Sequence, residues 1–456
     1  MYLLKKGPVG LLAASVVAAG GRLREGFLLD VPDEPTIDLL RDPIQWLRSC
    51  IMRIGRQSSL RRLANKRSSF RHEGGIDWRA STAVRAAISP EQQQDLLCIQ
   101  GGGLWTAHTL KAAGLLEDDV CPWCAQDVED LGHLWWKCPA FRDVREQALR
   151  GQSVDYTMLP PCLALHGLVP EMAADVTKAF WVTEEDAPAL GVWAGAQDWQ
   201  GHVPRWATED AGLTWADVRG WTMRRLLAQL AGPFPHYAPE APARVPGRAP
   251  DDINVYVDGG LRHGPHSPAA LGSWGLFTRA ELSGEDTALL ERSGWIDRFG
   301  DRISLWGQLD GHPISSTRSE GWGLIAAHML PIPVHVGVDN SGADSNANKI
   351  LSGEFNLARR PWGMRPDGDV WGLLHSLIVQ RGVGATRVTK VRGHATSAMV
   401  DSGAVRRQDM MGNYAAAATV ERGYRSYRPS RLALAALFEE RHKLYLAFST
   451  CIQRLM

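Results

Sequence analysis

Six prolines crowd the stretch from Gly232 to Asp252: Pro233, Pro235, Pro239, Pro242, Pro246 and Pro250. Proline fixes φ and donates no backbone N–H, so such a stretch can continue neither a helix nor the interior of a sheet. It reads as an extended linker over 232–252, and the parts on either side must build their own cores. The 456 residues allow that, because at about 150 residues per domain there is room for about three units. Hydrophobic residues make up 45% and charged residues 22%, values that exclude a largely disordered or fibrous chain.

Lys plus Arg number 50 and Asp plus Glu number 50, so the whole-chain charge does not announce a nucleic-acid binder. Charge is a local property, however. Between Pro43 and His72 lie Arg48, Arg53, Arg56, Arg61, Arg62, Lys66, Arg67 and Arg71, with no acidic residue among them. This island reads either as a phosphate-contacting helical face or as an ordinary solvated helix surface. Residues 242–456 carry 25 Lys plus Arg against 21 Asp plus Glu. Near the N-terminus, Lys5 and Lys6 precede the apolar run Val9 to Ala19, which mimics a short secretory signal but is too short to span a bilayer. The seven cysteines are few for the length and favour a reducing compartment, nuclear or cytoplasmic, over secretion.

Four residues, Cys121, Cys124, His133 and Cys138, have the spacing C-x2-C-x8-H-x4-C. A CxxC pair presents two thiolates to one ion, and a later His and Cys complete a tetrahedral N/S set suited to a single structural Zn²⁺ with no open position. The surrounding text, with CPWC followed by LGHLWWKCPAFRDVR, resembles the zinc-binding segment that follows the polymerase domain in non-LTR retrotransposon reverse transcriptases. That resemblance covers about 50 residues and implies a nucleic-acid-handling ancestry for a chain that looks like the tail of a longer polyprotein. The tryptophan-rich stretch from Trp181 to Trp221 carries no motif and is expected to be an irregular helical core.

Past the linker, β-branched runs predict strands at Ile253 to Asp258, Leu271 to Phe277, Ile303 to Leu309, Val334 to Asp339 and Thr386 to Val391. Helical spacing predicts helices from Thr317 to Met329, from Asp369 to Arg381 and from Val405 to Val420, the second capped by its aspartate. The order βββαβαβα implies an α/β fold, a mixed sheet flanked by helices. Asp258 closes the first strand, Glu320 sits in the first turn of the first helix, and Asp339 closes the fourth strand. Three carboxylates brought together repel one another unless cations lie between them. Hard oxygen ligands select Mg²⁺ or Mn²⁺, and two such ions can promote phosphodiester hydrolysis.

This pattern resembles ribonuclease H type 1, over roughly Ile253 to Tyr424. The resemblance implies a ribonuclease H-like sheet and an endonuclease that cuts the RNA strand of RNA:DNA hybrids by two-metal-ion hydrolysis. Asp258, Glu320 and Asp339 match the family's first three carboxylates, and His394 in VTKVRGHAT matches its mobile histidine. The family's fourth carboxylate follows a stretch like G-N-x-A-A, but here Gly412-Asn413-Tyr414-Ala415-Ala416 leads to Ala417. Weaker metal binding and slower hydrolysis, or a decayed nucleic-acid-binding protein, are the alternatives this implies. Asp401 and Asp409 are candidate substitutes, though both read first as loop and cap residues, as do Asp367 and Asp369. Arg318, Asn340, Lys390 and Arg392 are candidate nucleic-acid contacts, with backbone near Gly259, Gly260, Ser316 and Asn340 facing ribose hydroxyls. Further nucleic acid is expected at the basic and zinc-binding segments, and no membrane is expected.

The sequence thus divides into a basic helical region (1–95), a zinc-binding segment (96–150), a Trp-rich helical region (151–231), the linker (232–252), the ribonuclease H-like domain (253–424) and a C-terminal helix (425–456). The last is expected to pack on the nuclease-like domain or on a partner.

Overall fold

The computed structural model describes residues 14, 16–18, 20–30, 36–71, 74–150, 154–174, 205–218, 220–232, 244–265, 267–285, 287, 296–299, 302–309 and 314–456. Much of the signal-like run, most of the Trp-rich stretch and the first half of the proline-rich stretch lie outside them. The chain divides into two compact units. One draws on Met1–Gly21, Met52–Leu227 and Ala436–Met456, the other on Arg22–Ile51 and Ala228–Ala435. No helix among the described residues is long and apolar enough to cross a membrane.

The first unit is helical. The basic island forms most of a 23-residue helix, Ile44–Lys66, of which Met52 onward belongs to this unit; Arg48, Arg56, Arg61, Arg62 and Lys66 are exposed on it. The small sheet ahead of that helix, Arg22–Arg24, Leu28–Asp30 and Ile37–Asp38, which the sequence does not announce, belongs to the second unit. Leu60, Phe70, Ile76, Cys162 and Leu168 form one core cluster. Phe70 stacks on His166 at 3.8 Å, and burial holds that imidazole neutral, its pKa pushed down to about 4. The C-terminal helix corrects an expectation. Its first turns, through Ala435, belong to the second unit, where Arg431 Nη2 donates to the carbonyls of Pro268 and Ala270 at 3.2 and 3.3 Å, and only from Ala436 onward does it belong to this unit. His442 Nε2 meets Asp77 Oδ2 at 2.8 Å, and Gln453 Nε2 donates to the carbonyls of Ala80 and Gly167 at 3.2 and 3.0 Å. Phe438, Tyr445, Phe448, Ile452 and Leu455 recur at helical spacing and are all buried.

The second unit is built on a mixed six-stranded sheet. Its strands are β1 (Val255–Arg262), β2 (Leu271–Thr278), β3 (Ile296–Phe299), β4 (Arg302–Leu309), β5 (Val334–Val338) and β6 (Thr386–Lys390). In space they run β3-β4-β2-β1-β5-β6. The first four pair antiparallel, whereas β1–β5 and β5–β6 are parallel. Parallel neighbours need crossovers, which here contain helices α1 (Ser316–Met329), α2 (Ser341–Leu351) and α3 (Gly368–Arg381). The short α4 (Ser397–Asp401), α5 (Arg407–Arg425) and α6 (Pro429–Leu455) follow β6.

Strand alternation sorts β1 between two faces. Val255 and Val257 join Leu324, Ala327 and Trp371 on the α1 and α3 side, while Tyr256 packs with Phe277, Val391 and Ala416 on the α5 side. Both faces are covered, so Val255, Tyr256 and Val257 are fully buried. Glycines set the spacing where helix backbones touch the sheet. A Cβ at Gly259 would lie 2.3 Å from the backbone nitrogen of Glu320, and one at Gly275 would lie 2.5 Å from the carbonyl oxygen of Ala416. The backbone that comes close to Gly259 is therefore that of α1.

Several boundaries differ from the expected ones. Asp258 does not end its strand, which continues to Arg262. Glu320 is the fifth residue of α1, past the first turn, because the cap is Ser315, whose side chain accepts from Arg318 N. The described end of the proline-rich stretch is fastened down: Val245 N donates to Arg381 O at 3.1 Å and Ala249 N to Gly384 O at 2.9 Å.

Candidate metal centres

Asp258, Glu320 and Asp339 each offer an oxygen, and these oxygens lie within 4.8 Å of one another. β1 supplies the first, α1 the second and the residue following β5 the third. The tight fit of α1 over Gly259 brings Glu320 down to the strand. Glu320 is 3% exposed, and its Oε2 has no hydrogen-bond partner among the described residues. Burial, then the charges of Asp258 and Asp339, push its carboxyl well above the usual carboxylate range. Burial and the Asp339 charge also raise Asp258, against a 2.8 Å hydrogen bond from Gly259 N. Desolvated like charges with an unpartnered oxygen are a costly arrangement that a divalent cation relieves. The donor set fits a hard cation.

His394 is exposed in the turn after β6, with φ of 51°, near enough for its charge to act on Asp258. Its neighbour Gly393 lies against the third carboxylate, where a Cβ would stand 2.5 Å from Asp339 Oδ2. Ala417 is exposed on α5. One turn earlier on the same face is Asn413, whose Nδ2 donates to Asp339 Oδ2 at 3.2 Å. Sequence reasoning does not assign Asn413 and Gly393 to the site; the available signal is the four-residue step from Asn413 to Ala417.

The substitutes for the fourth carboxylate are placed differently. Asp409 accepts a 2.8 Å hydrogen bond from Tyr256 and pairs with Arg406 at 2.8 Å, so it anchors α5 to the sheet. Asp401 is exposed at the end of α4.

Of the candidate nucleic-acid contacts, Arg318 is turned inward. Its side chain is 5% exposed and pairs with Asp369 at 2.5 Å and with Asp367 at 3.3 Å. The cap position of α3 is held by Asp367, with φ of 49° and no capping bond, and not by the expected Asp369, which lies in the first turn. Asn340 caps α2, its Oδ1 accepting from Gly342 N and Ala343 N at 2.9 and 3.0 Å. Lys390 is exposed and donates to Ser341 Oγ, and Arg392 is exposed. Gly260 lies under Tyr424, whose Oη would be 2.4 Å from an added Cβ. Ser316 is the first residue of α1.

The second cluster, in the other unit, gathers Cys121, Cys124, His133 and Cys138, whose ligand atoms also lie within 4.8 Å of one another. Cys121 and Cys124 lie on a loop closed by a bridge between Val120 and Val128 and by the 2.8 Å bond from Cys121 N to Asp127 O. A short helical turn, His133–Lys137, sets His133 ahead of Cys138. Cys124 Sγ lies 3.3 Å from His133 Nε2, and Cys121 Sγ lies 3.9 Å from Cys138 Sγ. Burial pushes the Cys138 thiol up to about 11. Burial acts on Cys124 in the same sense, but the Gln126 N–H and the neighbouring ligand side chains bring it down to about 7. Three sulfurs and an imidazole form a closed four-donor group able to hold a metal ion.

No protein-family model matches the chain, and no curated protein matches it.

Proposed function

We propose that the second unit is a ribonuclease H-type endonuclease acting on the RNA strand of RNA:DNA hybrids. The observation that carries this reading is the convergence of Asp258, Glu320 and Asp339 within 4.8 Å, around a buried oxygen of Glu320 that has no partner among the described residues. The sheet supports it, with its antiparallel strands followed by two parallel ones, as does the position of His394 beside the cluster.

Asp258, Glu320 and Asp339 would hold Mg²⁺ or Mn²⁺. When bound, a pair of such cations supplies the Lewis acidity that activates water and stabilises the leaving oxygen of a phosphodiester. The chain's own residues do the rest. Gly393 and Asn413 hold Asp339 in place, and α1 presents Glu320 from a buried helix. Exposed Lys390 and Arg392 meet backbone phosphates, and exposed His394 can carry a proton at the edge of the site. The Cys121, Cys124, His133 and Cys138 group holds a structural Zn²⁺ that stabilises its own segment.

Ala417 favours a second reading, a catalytically weakened or inactive nucleic-acid-binding protein, because alanine offers no oxygen where the family's fourth ligand stands. The test that separates the readings is cleavage of labelled substrates by the 456-residue chain with Mg²⁺ or Mn²⁺. The nuclease reading expects cutting of a hybrid and none of duplex DNA of the same sequence. Binding without cutting, restored to cutting by Ala417→Asp, identifies the weakened protein.

A further inference from the structure

Asn413 has a feature that packing does not explain. It is 7% exposed, its Nδ2 faces Asp339 Oδ2 at 3.2 Å, and its Oδ1 is buried without a hydrogen-bond partner among the described residues. A buried amide oxygen left unpaired is costly, so a side chain held this way is expected to have a partner in the working protein. Glu320 Oε2, in the adjoining cluster, is unpaired in the same manner.

The position of Asn413 is fixed from below. The preceding Gly412 presses on the Tyr256 ring, where an added Cβ would stand 2.2 Å from the ring carbons. Tyr256 in turn holds Asp409 of the same helix at 2.8 Å. Asp339 Oδ2 is confined between Asn413 and Gly393. The two ends of a side-chain amide are nearly isosteric and exchange by rotation about χ2. With Nδ2 inward, the amide neutralises part of the Asp339 charge. With Oδ1 inward, two oxygens would face each other at about the 3.2 Å now recorded, which is repulsive unless a cation lies against both. Adjacent ligands of an octahedral ion with oxygens at about 2.1 Å are about 3 Å apart.

We infer that Asn413 is an oxygen ligand for a divalent cation at this centre, its amide turning Oδ1 inward when the ion binds. It would stand one helical turn before Ala417 and supply, without charge, an oxygen that Ala417 cannot. This inference rests on the metal-dependent reading of the site proposed above.

The test replaces the hard oxygen by a soft sulfur. Mn²⁺ and Cd²⁺ binding to the zinc-loaded 456-residue chain is measured by calorimetry for the parent, Asn413→Cys and Asn413→Asp, with Asp258→Asn defining the binding that belongs to this centre. For Asn413→Cys the expected result is Mn²⁺ bound about tenfold or more weakly while Cd²⁺ is bound at least as tightly as by the parent. Equal weakening of both ions, the result of a merely orienting role, overturns the inference, and so does no change in either. If Asn413→Cys fails to fold by circular dichroism, Asn413→Asp decides: tighter Mn²⁺ binding by about tenfold supports ligation, and unchanged binding overturns it. Parent Mn²⁺ binding that is insensitive to Asp258→Asn removes the metal centre itself and with it the nuclease reading. Binding that Asp258→Asn abolishes but the Asn413 variants leave alone overturns only the role of Asn413.

Discussion

Gly393 leaves no room for a side chain against Asp339, since a Cβ would stand 2.5 Å from Asp339 Oδ2. The loop after β6 therefore fixes the orientation of a carboxylate carried at the end of β5. Gly393→Ala must push one of them aside. Mn²⁺ affinity at the centre is expected to fall about tenfold or more, while unfolding free energy falls by about 1–3 kcal/mol, the usual cost of overpacking. Calorimetric titration beside urea melts checks both, and unchanged affinity would show that Asp339 has freedom this packing denies.

The raised carboxyl groups of Glu320 and Asp258 make the metal-free fold sensitive to pH. A folded-state pKa above the unfolded one means that the folded protein keeps the proton longer. Stability is then highest below the unfolded pKa and is lost as pH rises from the ordinary carboxylate range through the folded value. Glu320→Gln removes that loss. Its melting temperature relative to the parent, in magnesium-free buffer with zinc retained, should rise between about pH 5 and pH 8, and its Mn²⁺ binding should vanish. A pH-independent difference in melting temperature contradicts the electrostatic account of the cluster.

Arg318 and Arg392 should behave as different kinds of arginine. Arg318 is buried against Asp369 and Asp367, and Arg318→Ala leaves those carboxylates without their cation. The expected loss is about 3–5 kcal/mol. Arg392 is exposed, so Arg392→Ala should alter stability by about 0.5 kcal/mol or less and weaken hybrid binding in a salt-dependent way. Urea melts and binding titrations at two salt concentrations distinguish them, and equal stability losses would contradict the assignment.

The contrast marks where the sequence is and is not legible. The three carboxylates are readable because strand ends and helix faces follow from apolar spacing, and Asp258, Glu320 and Asp339 interrupt or border such spacing. Arg318 is not readable, because a charged residue beside a catalytic-looking glutamate has the same sequence signature whether it faces solvent or a buried aspartate pair. α2 is missed for a related reason: its buried side is only Ala343, Ala347 and Ile350, too weak an apolar stripe to register. β3 spans four residues, Ile296–Phe299, at the sheet edge and carries little alternation. The contact between Asn413 and Asp339 joins residues 74 apart in sequence, which no local pattern encodes.

At the cysteine cluster, native mass spectrometry should find one Zn²⁺ per chain, lost in Cys121→Ser and Cys138→Ser. Because such binding is part of the folding free energy, chelation should lower the melting temperature of the parent. Retention of the metal in both variants, or a melt unaffected by chelation, would contradict a structural site.

Ala417→Asp adds a carboxylate one turn from Asn413 on the same face of α5. It is expected to strengthen Mn²⁺ binding and accelerate hybrid cleavage by about tenfold or more. Unchanged rate and affinity would place residue 417 outside the reach of the centre.

The central claim, that Asp258, Glu320 and Asp339 form a cation-dependent nuclease centre, is tested most directly by the product ends. A 5′-labelled RNA annealed to DNA is incubated with the 456-residue chain and with Asp258→Asn, each with Mn²⁺, with Mg²⁺ and with chelator. The account predicts internal RNA cuts leaving 3′-hydroxyl and 5′-phosphate ends, only with a divalent cation and only in the parent. An RNA strand left intact by excess parent protein in both metals, or cut equally by Asp258→Asn, would contradict it.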